Sequence, residues 1–380
     1  MGEKEICLIT FVLLLLSFVF TMNKTLGFLA PIMISMIIFI LNSILPGRWV
    51  TGYVTKANSK EKMRYHLNGL LVFFTVVLVW FLLGYFNIMP YDWLYLYRWY
   101  GLAGAFVAGI IFSLSVVLYY PPVRKSFLSD LFFGRTENLQ LWGGLADAKM
   151  WLYLTGATML ELNALSFTAH HCIMFRDQSS TGIILSAGLL TYFIVDYFIF
   201  EEVHLYTYDL FAERVGFKLG WGCMVFYPYF YSVFLWSTVD LPDPHTPDWL
   251  LLIYVLMFFS GWILSRGANL QKYFFKRDPG RPFLRIVPET ITDGNNALLI
   301  NGFWGISRHI NYSGEILMAS GIILCTGYPS LIGPWLYPLY YVILLIARQR
   351  DDDKRCALKY GELWKIYVKK VPYRIFPFIY

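Results

Sequence analysis

The sequence predicts an all-α, polytopic membrane protein of about ten transmembrane helices. Three observations predict this class. Composition is the first: 57% of the 380 residues are hydrophobic and 19% aromatic, and only 15% are charged, against about 25% in a soluble domain. The second is a series of apolar runs of the length that crosses a bilayer. The third is a strong asymmetry of Lys and Arg between alternate loops.

The spans fall near 6–22, 26–45, 67–86, 100–119, 150–167, 182–200, 219–237, 249–265, 314–327 and 331–347. The ninth is interrupted by Gly, Ser and Glu. Residues 6–20 have the apolar character of a signal peptide. The leader MGEKE is mixed in charge, however, and no small-x-small cleavage site precedes Asn23, so a retained span is expected. With a cytoplasmic N-terminus, Lys24, Arg98 and Arg176 are the only basic residues on the outer side, out of 31 Lys and Arg in all. The basic segment 266–285 and the basic end of the chain then face the cytosol. The net charge of +6 is this inner excess. It gives no reason to expect nucleic acid, for which no module is visible. Anchoring to anionic membrane lipid accounts for the basic residues of 48–64 and 124–149.

The cysteines Cys7, Cys172, Cys223, Cys325 and Cys356 form no CxxC pair, and the histidines do not cluster with carboxylates at metal spacing. Neither zinc nor a disulfide framework is expected, and no metal partner. His170 and His171 are adjacent, so on a helix they point to different faces, at an outer membrane boundary. Gly101, Ala105 and Gly109 make a small-xxx-small ridge suited to helix packing. LPDPHTP (241–247) reads as a short outer loop.

Polar groups at membrane depth mark function or pairing. Asp196 and Glu161 are candidates to line a cavity. Glu201 and Glu202 read as boundary carboxylates with a neighbouring partner. In RGANLQKYFFKR (266–277), helical spacing puts Asn269, Lys272 and Lys276 on one face, an amide and two ammonium groups suited to phosphates. GFWGISRHINYSGE (302–315) brings Trp304 as a stacking plate, with Arg308, His309, Asn311 and Tyr312 as hydrogen-bonding groups; Gly302 and Gly305 permit tight turns. That set suits a nucleotide. RQRDDDKRCALKYG (348–361) adds Arg348, Asp352 and Tyr360, while Arg350, Asp353 and Arg355 read as a solvated helix face.

Four pieces, RGANLQK, GFWGISRHINYSGE, the frame Arg348, Asp352, Cys356, Lys359, Tyr360 and Gly361, and VPYRIFPFIY (371–380), stand in one order. From about residue 130 onward the chain resembles the sterol reductases that saturate C14=C15, C7=C8 or C24 double bonds, the family that includes the membrane domain of the lamin B receptor. FFGR (132–135) and the stretch 216–232 also look like family segments. The resemblance implies NADPH as cofactor and a sterol as substrate. It divides the chain into N-terminal helices (1–120), central helices lining a sterol pocket (121–265) and an NADPH-binding half with the last two spans (266–380). It places the cofactor on Asn269, Lys272, Lys276, Trp304, Arg308, His309, Asn311, Tyr312, Arg348, Asp352 and Tyr360. The membrane is that of the endoplasmic reticulum in a eukaryote or the inner membrane in a bacterium, with the cofactor site facing the cytosol.

This sequence departs from the family pattern at four places. Asn138-Leu139-Gln140-Leu141 replaces Leu-Asn-Pro-Arg, Ala347 replaces the His before Arg348, Asp351 replaces an Arg, and Phe193 replaces a tyrosine three residues before Asp196. The implied chemistry needs an acid, because an isolated alkene must be protonated before it accepts hydride. Asp352, Tyr312 and the pair Tyr192–Asp196 are the candidates for that acid relay. Two other readings remain. An S-adenosylmethionine-dependent membrane methyltransferase of the isoprenylcysteine type shares the pattern of Arg308, His309, Tyr312 and Gly314. A catalytically silent sterol-binding protein fits the altered Ala347, Asp351 and Phe193.

Overall fold

The computed structural model describes the backbone of residues 3–56 and 61–380, and the side chains of 23–56 and 61–380. The expected first span, 6–22, lies outside the residues whose side chains are described. The chain forms two compact units, Met1–Arg176 with Thr191–Ser232, and Asp177–Leu190 with Val233–Tyr380.

The first unit begins with α1 (Glu3–Ile44), followed by an antiparallel hairpin of β1 (Arg48–Thr55) and β2 (Lys62–Leu67). Then come α2 (Gly69–Tyr85), α3 (Arg98–Tyr119), α4 (Ala148–Phe175) and the part of α5 (Thr181–Ile199) that follows Leu190. The small-residue ridge on α3 packs helices as expected. Gly101, Ala105 and Gly109 are all buried, and a Cβ on neighbouring Gly104 would sit 1.8 Å from the Phe28 carbonyl oxygen on α1. Only glycine allows that approach.

Polar partners at the element ends explain several boundary residues. Glu201 accepts the Gly69 amide at 3.1 Å, satisfying a donor that the first turn of α2 leaves open. Glu202 pairs with Arg48 at 3.0 Å. Asp147 caps α4 by accepting from the amides of Lys149 and Met150. In the FFGR segment, Arg135 donates to Asp130 at 2.8 Å and to the carbonyls of Val117 and Tyr120, which ties the segment to the end of α3. His170 meets Asp92 at 3.0 Å and stacks on Tyr95, whereas His171 is fully buried.

The expected span 219–237 is not one α-helix. It runs as a short helix (Phe217–Trp221), a π-helical stretch (Gly222–Phe230) and another short helix (Val233–Thr238). Pro228 sits inside the stretch and has no amide hydrogen to give to an α-helical ladder, which the wider turn accommodates.

The second unit is built on α6 (Asp248–Arg277), α7 (Ile310–Cys325), α8 (Ile332–Tyr360) and α9 (Glu362–Lys370), with a hairpin of β3 (Thr290–Thr292) and β4 (Ala297–Leu299) before α7. RGANLQK belongs to the same helix as the eighth expected span, 249–265. It continues α6 without a break, so one rod is apolar at its start and polar at its end. Helices α6 and α7 touch backbone to backbone. A Cβ on Gly314 would lie 2.4 Å from the Gly261 oxygen, and one on Gly321 would lie 2.9 Å from the Tyr254 oxygen.

The protein is therefore mostly helical, but it is not purely α: among the described residues, three short antiparallel strand pairs join its helices. Among the described residues, four helices are long and apolar enough to cross a membrane: Asn23–Ile44, Arg98–Tyr119, Thr181–Ile199 and Asp248–Arg277. Gly69–Tyr85 and Ile310–Cys325 are apolar but shorter.

Candidate functional site

The polar end of α6 faces the start of α7 across the glycine contact. Asn311 donates to the Asn269 side-chain oxygen at 3.3 Å. Between these helices, Gly302 adopts φ 64°, a left-handed conformation that glycine tolerates without cost. The buried Gln271 amide holds that turn, accepting from the Phe303 amide at 2.9 Å and donating to the Asn301 carbonyl at 3.3 Å. The turn presents Trp304, whose indole N–H donates to the Ala268 carbonyl at 2.8 Å. The Lys272 ammonium lies 4.9 Å from its ring centre. Trp304 is thus fixed against α6 as a rigid plate rather than a loose one.

Arg308 and His309 follow, 4% and 5% exposed. Their backbone amides donate to the carbonyls of Tyr373 and Arg374, so the segment 371–380 is laced along them. Ser307 and Ser313 both donate to the Ile375 carbonyl, at 2.9 and 2.7 Å. His309 stacks on Tyr312, with ring centres 4.8 Å apart and planes at 18°. Its Nε2 is 3.9 Å from Asp352 on α8. Burial first, and then the charges of Lys272 and Arg308, push the His309 imidazole down to about 3 from 6.5. His309 is a neutral ring at physiological pH.

Helix α8 completes the group. Arg348, Asp352, Cys356 and Tyr360 recur every fourth residue along one stripe. Lys276 on α6 lies within electrostatic reach of Asp352, Cys356 and Lys359. Tyr360 stacks on Trp364 of α9. The structure therefore brings most of the polar residues named from sequence together in the second unit, with Arg348 one turn before Asp352 on α8. Tyr192 and Asp196 belong to the first unit. They lie one turn apart on α5, so Tyr192 shares a face with Asp196. Glu161, 1% exposed, accepts from Thr191 at 2.9 Å.

One assignment from sequence is overturned. Asp353 is not part of a solvated face: its side chain is 21% exposed and lies within 3.6 Å of Arg308 and 3.7 Å of Arg374. Its place on α8 is one residue beyond the recognisable stripe, and its partners are 45 and 21 positions away in sequence, so spacing gave no signal. Gln271, Gln349 and Arg374 were missed for the same reason.

Several buried atoms of this cluster have no hydrogen-bond partner among the described residues: Asn311 Oδ1, Arg308 Nε, His309 Nε2 and Asp353 Oδ1. Buried polar groups are normally satisfied. An orphaned set beside Lys272 and a fixed indole fits a polar, anionic ligand with a flat ring.

The model of the ergosterol biosynthesis ERG4/ERG24 family matches residues 10–380. The chain belongs to this family. Among family relatives, the Delta(14)-sterol reductase of Arabidopsis thaliana is 31% identical over 357 residues, 90% of this chain and 92% of that protein. The Delta(14)-sterol reductase of Methylotuvimicrobium alcaliphilum is 31% identical over 363 residues, 88% of this chain and 79% of that protein. The 7-dehydrocholesterol reductase of Xenopus laevis is 30% identical over 341 residues, 83% and 70% of the two chains. The ERG4/ERG24 match spans both compact units, so the polar cluster and the Tyr192–Asp196 pair both lie inside it.

The depressed His309 has a measurable consequence. Between pH 6.5 and about 3 the unfolded chain binds a proton at His309 that the folded protein refuses. Stability contributed by this residue is therefore full above that window and is lost as pH falls through it, by up to about 1.4 kcal/mol per pH unit. Thermal midpoints of the detergent-solubilised protein are expected to fall more steeply on acidification for the wild type than for His309→Gln. Parallel curves would contradict the assignment.

Proposed function

We propose that the protein is an NADPH-dependent sterol reductase that saturates a ring double bond, C14=C15 in the first reading and C7=C8 in the second. The observation that carries this is the orphaned polar set beside Lys272, Trp304 and Arg308 in a chain of the ERG4/ERG24 family. The names of the relatives, Delta(14)-sterol reductase and 7-dehydrocholesterol reductase, motivate the two bonds. The protein is an integral membrane protein of about ten spans, and its cofactor site faces the cytosol, where the positive-inside bias puts 266–285 and 348–380.

In this proposal Lys272, Lys276 and Arg308 hold the phosphates, Trp304 supports a ring, and Asn269 and Asn311 fix the polar edge. Arg348, Asp352 and Tyr360 close the site from α8. Bound NADPH supplies the hydride. The chain supplies everything else, beginning with the proton. An acid adds a proton to the less substituted alkene carbon, which leaves the positive charge on the tertiary carbon, where hydride completes the second C–H bond. Asp352 and Tyr312, on either side of the His309 ring, are the first candidate donors. Asp352 is the part-exposed member, with 27% of its side chain accessible to solvent. The Tyr192–Asp196 pair is the second candidate donor. Neutral His309 suits this setting, because it adds no charge beside the developing cation. The reaction requires that water, which would otherwise trap that cation, be kept out.

Expression in yeast strains that each lack one sterol reductase, followed by mass spectrometry of the sterols, tests the function. Disappearance of the C14=C15 intermediate is expected; sterol profiles unchanged in every strain would contradict the proposal. In the purified protein NADPH should bind more tightly than NADH, and Lys272→Ala should narrow the gap by weakening NADPH alone. Equal affinities in the wild type would remove the phosphate role.

Asp352→Asn keeps the shape and removes the acid. Turnover is expected to fall about 10²-fold, the scale of general acid catalysis, with NADPH binding little changed. Near-normal turnover in Asp352→Asn together with an inactive Tyr192→Phe would move the donor to α5.

A further inference from the structure

Arg308 carries its charge into the protein interior, with only 3% of its side chain exposed. A buried guanidinium needs a counter-charge. Asp353 is the carboxylate within ion-pair distance, 3.6 Å away, and the same oxygen lies 3.7 Å from Arg374. Two guanidinium groups thus share one carboxylate, and one positive charge is left over where an anion is to bind.

The carboxylate is itself held in a closed polar ring. The fully buried Gln349 donates its amide N–H to Asp353 Oδ2 at 2.6 Å. Its amide oxygen accepts from the Tyr380 hydroxyl at 3.3 Å. That hydroxyl accepts from Arg374 Nη1 at 3.0 Å, and Arg374 Nε returns to Asp353. The two ends of the Gln349 amide have opposite partners, which fixes its orientation. The ring joins α8 to the segment 371–380, and that segment holds the Arg308 and His309 amides.

We propose that Asp353 is a positioning residue for the reaction: through the ring with Gln349, Tyr380 and Arg374 it aims Arg308 at a phosphate of the bound dinucleotide. The inference rests on the NADPH reading above. The ring touches neither substrate nor reacting atoms, so its loss weakens cofactor capture and leaves chemistry in place. Asp353→Asn preserves the shape but leaves Arg308 and Arg374 without their shared counter-charge, so the two cations repel and Arg308 turns away.

Steady-state kinetics on the purified full chain, with NADPH and a sterol diene each varied, tests this. For Asp353→Asn the KM for NADPH is expected to rise about tenfold, the scale of one charge-assisted hydrogen bond, with kcat and the sterol KM within about twofold of wild type. Tyr380→Phe removes the hydroxyl that donates to Gln349 and accepts from Arg374, opening the ring while keeping the Asp353 charge, and should raise the same KM by about threefold. Asp353→Glu restores the charge and should recover most of the loss. An unchanged NADPH KM in Tyr380→Phe and in folded Asp353→Asn, with only a lowered thermal midpoint, would make the ring purely structural and overturn the proposal. If Asp353→Asn does not fold, Tyr380→Phe decides alone. A wild type whose turnover does not depend on NADPH overturns both this inference and the functional reading; an NADPH-dependent wild type with unmoved variants overturns the ring alone.

Discussion

Everything in the candidate site depends on how closely α6 and α7 approach. Gly261 and Gly314 let the two backbones touch, with no side chain between them. That contact sets Asn269 against Asn311 and brings the turn at Gly302 down onto Gln271. Trp304 is then pressed onto the Ala268 carbonyl, and Lys272 onto the indole. A side chain at Gly314 would part the helices just below the polar cluster. Glycine here does not loosen the chain; it permits the backbone contact on which a rigid polar surface is built.

A second constraint is electrostatic. The polar end of α6 carries Lys272 and Lys276, and the segment facing it carries the buried Arg308. Concentrating cations in a partly buried place costs desolvation and mutual repulsion. The depressed His309 registers that cost, since its protonation would add another charge to the group. Asp353 offsets only part of it. An arrangement of this kind gains stability when an anion arrives, and the orphaned atoms of Asn311, Arg308 and His309 leave hydrogen bonds for the anion's neighbouring groups to make.

Much of this was legible in the sequence because the relevant groups recur at helical spacing. Asn269, Lys272 and Lys276 on α6, and Arg348, Asp352 and Tyr360 on α8, share faces that a 3.6-residue period exposes directly. The apolar runs gave the helices between residues 67 and 119 to within two or three residues. What was not legible depends on contacts between distant segments. Asp353 read as solvated because nothing local shows that Arg308 and Arg374 will fold over it. The π-helical stretch at 222–230 and the hairpin at 48–67 were missed because hydrophobicity marks burial, not the width of a helical turn or the pairing of strands. Glu202 meets an arginine, the kind of partner expected for it, whereas the Gly69 amide that Glu201 holds was beyond reach of the sequence.

The central claim is that the second unit holds a reduced nicotinamide cofactor whose hydride reaches a sterol alkene after the alkene is protonated. Isotope tracing measures this directly. Purified protein is given a C14=C15 sterol and NADPH carrying deuterium at C4 of the nicotinamide, in ordinary water, and the product is analysed by mass spectrometry and NMR. The account predicts one deuterium, at C14, and a proton from the solvent pool at C15; in heavy water with unlabelled NADPH the positions reverse. Saturated product without deuterium from the cofactor, or with cofactor deuterium at C15, would contradict it.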